Sequence, residues 1–260
     1  MEAARGHEVV PLPRAEADLA DADALCRAVA RAAPDAVVHA GAMTNVDACE
    51  REPEAARAVN ALATGVLAEA AAKAGAALAY VSTDYVFDGE RGGYRETDPA
   101  NPLSVYGRTK LEGERLALAA HPDAIVARTS VVFAPLRRNF VTWAIGEMRA
   151  GRPVRLAEDQ RVSPTYAPDL AETILALLSR GERGVWHAAG ASALTRVEMG
   201  RAVARTFSLD AGLVQPARFA DLRLPAPRPR DSTLDVAKVS RLRKPMTFDE
   251  ALARLKERMP

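Results

Sequence analysis

Residues 78–121 read LAYVSTDYVFDGERGGYRETDPANPLSVYGRTKLEGERLALAAH, and their pattern decides the fold class of the chain. Leu78 to Val81 is an apolar run ending in Ser82, Thr83 and Asp84, as a buried parallel strand would end. A Gly-rich loop broken by prolines follows. From Ser104 the pattern becomes that of an amphipathic helix, with Tyr106 and Lys110 four apart and therefore on one face, a turn from each other. If that helix packs beside the strand end, three groups converge: a hydroxyl of Thr83 or Ser82, the phenol of Tyr106 and the ammonium of Lys110. Such a set suits proton transfer to or from a carbonyl oxygen. A free tyrosine titrates near pKa ~10, and a cation held close favours its phenolate. The Thr83 hydroxyl both donates and accepts, so it can hold a substrate oxygen within reach of Tyr106. Tyrosine and lysine at this spacing are common on ordinary surface helices; the preceding Ser-Thr-Asp strand end singles this pair out.

Outward from that stretch the alternation continues. His7 to Leu12 is a short β-like run broken by Pro11 and Pro13, and a helix is expected over Asp21 to Ala33, stopped by Pro34. Asp35 to Ala40 reads as a strand running into the small-residue turn Gly41-Ala42, Pro53 to Lys73 as a long Ala-rich helix, and Ala124 to Thr129 as another strand. Strands alternating with helices, several apolar throughout, predict an α/β fold with a doubly wound parallel, Rossmann-like sheet. Ligands of such sheets bind at the carboxyl ends of the strands, where Gly41-Ala42 and Ser82-Thr83 lie.

The second half reads differently. A helix over Phe140 to Ala150 follows Arg137-Arg138-Asn139, and a polar, turn-rich run spans Asp159 to Tyr166. A helix from Ala167 to Ser179, with Asp169 as its N-terminal cap, and a strand from Gly184 to Ala188 return to the main sheet. Helices over Thr195 to Phe207 and Asp249 to Met259 flank a Pro/Arg-rich loop, Pro225 to Arg230. The expected division is a dinucleotide-binding domain of residues 1–130 plus about 165–190, and a smaller substrate-binding lobe of about 131–164 and 191–260.

Composition bounds the partners. A net charge of +1 over 260 residues gives no basic footprint for nucleic acid. No apolar run reaches the ~20 residues that span a bilayer. Cys26 and Cys49 have no metal-ligand spacing, so no metal is expected, and reduced thiols fit a cytoplasmic protein.

The runs STDYVFDG, from Ser82, and YGRTKLEGE, from Tyr106, closely resemble the dTDP-4-dehydrorhamnose reductase family of the extended short-chain dehydrogenase/reductase superfamily. The resemblance extends from about Gly6 to the C-terminus. It implies reduction of the 4-keto group of a nucleotide-linked 6-deoxysugar, dTDP-4-dehydro-L-rhamnose first among them. NADPH is the implied donor, with NADH the alternative. Thr83, Tyr106 and Lys110 would be catalytic, Lys110 lowering the phenol's pKa and bonding the nicotinamide ribose. Val81, Tyr106 and Lys110 would touch the nicotinamide end. Asp18 and Leu19 would flank the adenine, and Gly41, Ala42 and Met43 the adenosine–pyrophosphate side. Arg14 stands where an acidic residue would select NAD, and it can pair with a 2′-phosphate. Asp84 is expected on a sugar hydroxyl, Arg228 and Arg230 on the diphosphate, and Asp47 either as a helix cap or as a ligand residue.

Two departures stand out. Val131 occupies a position where the family carries an aromatic ring against the sugar, so stacking surface is lost there. The opening AARGHEVV resembles the end of a first helix running into a second strand, without the preceding strand and Gly-rich turn that hold a pyrophosphate. The expectation is a gene model that starts late; the other reading is a natural short form with weakened cofactor binding. The expected partner is a nucleotide sugar, with a homodimer left open. The competing functions are a non-catalytic dinucleotide-binding subunit, like the regulatory subunit of methionine adenosyltransferase, and a nucleotide-sugar epimerase.

Overall fold

A computed structural model describes residues 6–135, 138–222 and 224–259; the expectations for the first five residues and for Arg137 lie outside these. The first helix, α1 (Ala22–Ala32), begins where Asp21 accepts the Ala24 amide. Strand β1 (Ala36–His39) and helix α2 (Val46–Arg51) follow. The expected Ala-rich helix runs as α3 (Pro53–Arg57), a π-helical turn (Ala58–Leu62) and α4 (Ala63–Lys73). Next come β2 (Ala77–Thr83), α5 (Val105–Ala120) and β3 (Ile125–Thr129). The chain then leaves the sheet through β4 (Val132–Phe133), α6 (Phe140–Arg149), β5 (Val154–Ala157), β6 (Arg161–Val162) and β7 (Thr165–Tyr166). It returns along α7 (Ala167–Ser179) into β8 (Gly184–His187). The remaining elements are β9 (Leu194–Thr195), α8 (Arg196–Phe207), β10 (Val214–Ala217), α9 (Ala237–Ser240) and α10 (Phe248–Arg258).

The main sheet is parallel throughout, in the order β1-β2-β3-β8. Successive residues of β2 feed opposite cores, as strand geometry requires. Leu78 packs with Ala68, Ala71 and Ala117 of α4 and α5, whereas Ala79 packs with Leu170, Ile174 and Leu177 of α7. Both faces are therefore covered, which explains the all-apolar strands. A second core gathers α6, α8, α10 and β5 around Val141, Met199, Leu252 and Leu255.

One expected strand does not form. His7 to Leu12 pairs with no other strand, and Val9 and Val10 are 50% and 56% exposed. A strand needs a hydrogen-bonding neighbour: among the described residues β1 pairs only with β2, and Pro11 and Pro13 offer no amide to a ladder.

Candidate active site

The carboxyl end of β2 meets the first turn of α5. Ser104 caps α5 by accepting the Gly107 amide at 3.1 Å, which places Tyr106 in the opening turn. Gly107 is required there, because a Cβ on it would lie 2.2 Å from the Tyr85 carbonyl oxygen. The absent side chain lets α5 press against the short 3-10 turn Asp84–Val86, so that the Tyr85 and Tyr106 rings meet edge to face at 5.7 Å. The Thr83 hydroxyl faces the Tyr106 phenol. Ser82 points to the other side of the strand and donates to Glu114 Oε1 at 2.5 Å, so of the two candidate hydroxyls Thr83 serves the site.

Lys110 is buried and donates to the Val81 carbonyl oxygen at 2.7 Å, with its ammonium 4.1 Å from the centre of the Tyr80 ring. Burial depresses its pKa to about 7, against the pull of the Glu114 carboxylate. Burial pushes the Tyr106 phenol up, while the Thr83 hydroxyl draws it down. Helical spacing sets the two side chains on one face, but the lysine stem turns its charge under β2. Beneath the site, Glu114 takes Arg128 in a bidentate pair at 3.0 and 2.7 Å, both side chains buried.

On the cofactor side a buried residue that the sequence pattern did not single out organises the backbone. Asn60, in the π turn, accepts the Met43 amide at 2.8 Å and donates to the Met43 carbonyl at 3.1 Å and to Thr109 Oγ1 at 3.1 Å. It thereby joins the Gly41-Ala42-Met43 turn to α5. A π turn marks functional positions often, but nothing in an Ala-rich run signals one. A Cβ on Gly41 would meet Leu19 Cδ1 at 2.9 Å, so these two expected adenosine-side residues are neighbours. Arg14 pairs with Asp18 at 3.0 Å on the surface. The residues present fit a dinucleotide at the nicotinamide and adenosine ends: Lys110 spends one of its three N–H donors on Val81, leaving others for ribose hydroxyls.

The substrate side was less legible. Asp84, expected on a sugar hydroxyl, is 2% exposed and already accepts from Ser130 and Ser232 at 2.7 and 2.5 Å, with the Thr83 hydroxyl at 3.1 Å. Val131 sits at φ +41°, a strained conformation for a β-branched residue, and packs against the second core. Asp47 does not cap α2, which Asn45 does; it holds Arg228 Nη2 at 2.9 Å and the Ala226 amide at 3.0 Å. Asp169 likewise caps nothing and instead binds Arg243 at 2.5 Å and the Met246 amide at 3.0 Å. Arg230 is exposed. Arg196, the first residue of α8, was missed: half-buried, it donates to Gln160 Oε1 at 3.2 Å, and its charge acts on both Tyr85 and Asp84.

Comparison with known proteins bears on this arrangement. The sequence model of the RmlD substrate binding domain family matches residues 1–259. The chain belongs to that family. A dTDP-4-dehydrorhamnose reductase of Mycobacterium tuberculosis is 40% identical over 242 residues, covering 90% of this chain and 79% of the relative. A probable low-salt glycan biosynthesis reductase of Haloferax volcanii is 37% identical over 233 residues, covering 87% and 78%. The crystal structure of dTDP-4-dehydrorhamnose reductase from Bacillus anthracis in complex with NADP superposes with a TM-score of 0.94 at 26% identity, covering 98% of this chain and 92% of that one. For an RmlD-family chain, the Thr83, Tyr106 and Lys110 cluster lies where the fold places its ligands, at the carboxyl end of a central strand.

Proposed function

We propose that the chain reduces the 4-keto group of a nucleotide-linked 6-deoxysugar, converting dTDP-4-dehydro-L-rhamnose to dTDP-L-rhamnose at the expense of NADPH. The observation that carries this reading is the meeting of Thr83 and Tyr106 at the end of β2, above a buried Lys110, in a chain of the RmlD family. When bound, NADPH supplies the hydride that C4 of the sugar receives. The sheet domain, residues 1–130 with about 165–190, holds the dinucleotide, and the lobe built on α6, α8 and α10 holds the sugar nucleotide.

Tyr106 gives its phenolic proton to the C4 oxygen as negative charge develops there. Burial raises its pKa, so the donor is loaded at neutral pH, as reduction requires. Thr83 donates a hydrogen bond to the same oxygen and fixes its distance from Tyr106. Lys110 positions the nicotinamide ribose, with Val81 beside it, while Gly41, Ala42 and Met43, held by Asn60, form the wall toward the pyrophosphate. Asp18, Leu19 and Arg14 serve the adenosine end, Arg14 meeting a 2′-phosphate. Arg228, Arg230 and Arg196 rim the substrate side with positive charge suited to a diphosphate. Cys26 and Cys49 are both free thiols, in keeping with a reducing compartment such as the cytoplasm.

The test is NADPH oxidation against a panel of dTDP- and UDP-linked 4-keto sugars, with the product identified by chromatography. Turnover of dTDP-4-dehydro-L-rhamnose to dTDP-L-rhamnose is expected. Dinucleotide binding with no turnover on any member of the panel would instead support the regulatory-subunit reading.

A further inference from the structure

Asp84 is buried where four segments converge. Its Oδ2 accepts from Ser130 Oγ, beyond β3, at 2.7 Å and from Ser232 Oγ at 2.5 Å. Ser130 in turn accepts the Ser163 amide at 3.4 Å, and Ser163 accepts the Leu234 amide at 3.1 Å. The remaining oxygen, Oδ1, lies 3.1 Å from Thr83 Oγ1, which also accepts the Tyr85 amide at 3.2 Å.

A hydroxyl has one proton and two lone pairs. If Thr83 points its proton at Asp84, it has only a lone pair to offer a ketone oxygen, which is itself an acceptor. To hold the ketone, Thr83 must turn its proton outward, toward Tyr106. One lone pair then takes the Tyr85 amide and the other faces Oδ1. Two bare acceptors cannot share that contact, so the bridging hydrogen must come from Asp84. We propose that Asp84 is a neutral acid that donates its Oδ1 proton to Thr83 Oγ1 while Oδ2 accepts from both serines, and so is a positioning residue that aims the Thr83 hydroxyl at the substrate. The inference rests on the reading of Thr83 as the ketone-holding group.

The surroundings are compatible with an uncharged acid. Tyr106 on α5 and Tyr85 in the adjoining turn are neutral phenols at neutral pH, the end of β3 and the segment at Ser232 supply hydroxyls, Arg196 on α8 brings a positive charge to the carboxyl, and Arg228 acts on the adjoining Tyr85. Arg196 and the three hydroxyl donors favour the ionised form; burial opposes them and outweighs them, raising the pKa.

Asp84→Asn tests this, because an amide reproduces the neutral acid: its N–H meets Thr83 and its oxygen meets the serines. In the full chain with NADPH, Asp84→Asn should keep kcat within about threefold and leave KM for the keto sugar unchanged, since the hydrogen-bond pattern is preserved. The infrared difference spectrum of wild type minus Asp84→Asn at neutral pH should contain the C=O stretch of a protonated carboxyl. Thr83→Val, which removes the proton's acceptor, should shift that band to higher frequency and so assigns it even if Asp84→Asn fails to fold. A spectrum showing only carboxylate bands would overturn the proposal. So would a folded Asp84→Asn protein whose kcat falls more than about tenfold with NADPH binding intact. The infrared reading needs no turnover, so a wild type inactive on every keto sugar would sink the reductase reading and leave the protonation result standing.

Discussion

Around the end of β2, where the proposed catalytic groups gather, Asn60, Thr83, Lys110 and Glu114 are 0%, 5%, 2% and 3% exposed, and each is held by hydrogen bonds to other elements. At the proposed adenosine end, the Arg14 side chain is 86% exposed and, among the described residues, pairs only with Asp18, four residues away in an irregular segment. Packing over-determines the first region: moving Tyr106 would mean moving α5 against the Tyr85 turn, where a Cβ on Gly107 already has no room. Little but a surface ion pair shapes the second. Chemistry needs fixed geometry to a fraction of an ångström, whereas a charged phosphate tolerates a mobile partner. The contrast predicts that substitutions at the two ends differ in kind as well as in size.

The largest effect is expected at the buried end. Tyr106→Phe should lower kcat by about 10³-fold, the usual scale for losing a general acid, while the melting temperature stays near that of wild type because the ring is kept. A loss smaller than tenfold, by stopped-flow NADPH oxidation, would remove Tyr106 from its role. Glu114→Ala should act on folding instead. It strips Arg128 of its bidentate partner and Ser82 of its acceptor, and Arg128 Nη1 already has no partner among the described residues. Breaking a buried pair in this way costs about 3–5 kcal/mol, measurable as a lower urea midpoint.

Lys110→Met separates function from stability at one residue. Activity should fall by about 10²-fold as ribose positioning is lost, yet the protein should gain stability near neutral pH. The sign follows from the depressed pKa. Below about 7 both folded and unfolded lysine are protonated, so the full penalty for burying the charge is present. Between about 7 and the ordinary lysine value of 10.5 the unfolded chain binds more protons, so wild-type stability rises with pH. The margin of Lys110→Met over wild type, read from urea midpoints at about pH 6 and about pH 9, should therefore shrink as pH rises.

What could be read in advance follows the same divide between local and distant causes. The helix start near Ser104 and the pair Tyr106 and Lys110 were legible because amphipathic periodicity and a four-residue spacing are written within one helix, and Thr83 because an apolar strand ends at it. The cap reading of Asp169, and the cap alternative for Asp47, failed for the same reason. Both stand at the start of helices and look like caps, but their partners Arg228 and Arg243 lie in distant sequence, brought close only by the completed fold. Asn60 was invisible because its importance comes from a π turn that no residue type announces. Lys110 was placed on the Tyr106 face by helical spacing, but its hold on the Val81 carbonyl depends on β2, outside the helix. His7 to Leu12 had the composition of a strand without a neighbour to pair with.

The smallest effect belongs to the exposed end. Arg14→Ala should leave the melting temperature unchanged, since among the described residues it pairs only with Asp18 on the surface and exposed ion pairs contribute little. Its effect should show in cofactor choice. A guanidinium facing a 2′-phosphate gains a charge-assisted contact that NADH cannot offer, so KM for NADPH should rise about five- to tenfold while KM for NADH moves less than twofold. Because Asp18 already accepts from Arg14, the phosphate must compete for the guanidinium. Asp18→Asn, which weakens that competitor while keeping its shape, should then lower KM for NADPH. If Arg14→Ala raised both Michaelis constants equally, Arg14 would be shaping the adenosine end as a whole, and the discrimination between the two dinucleotides would have to be sought elsewhere along that edge.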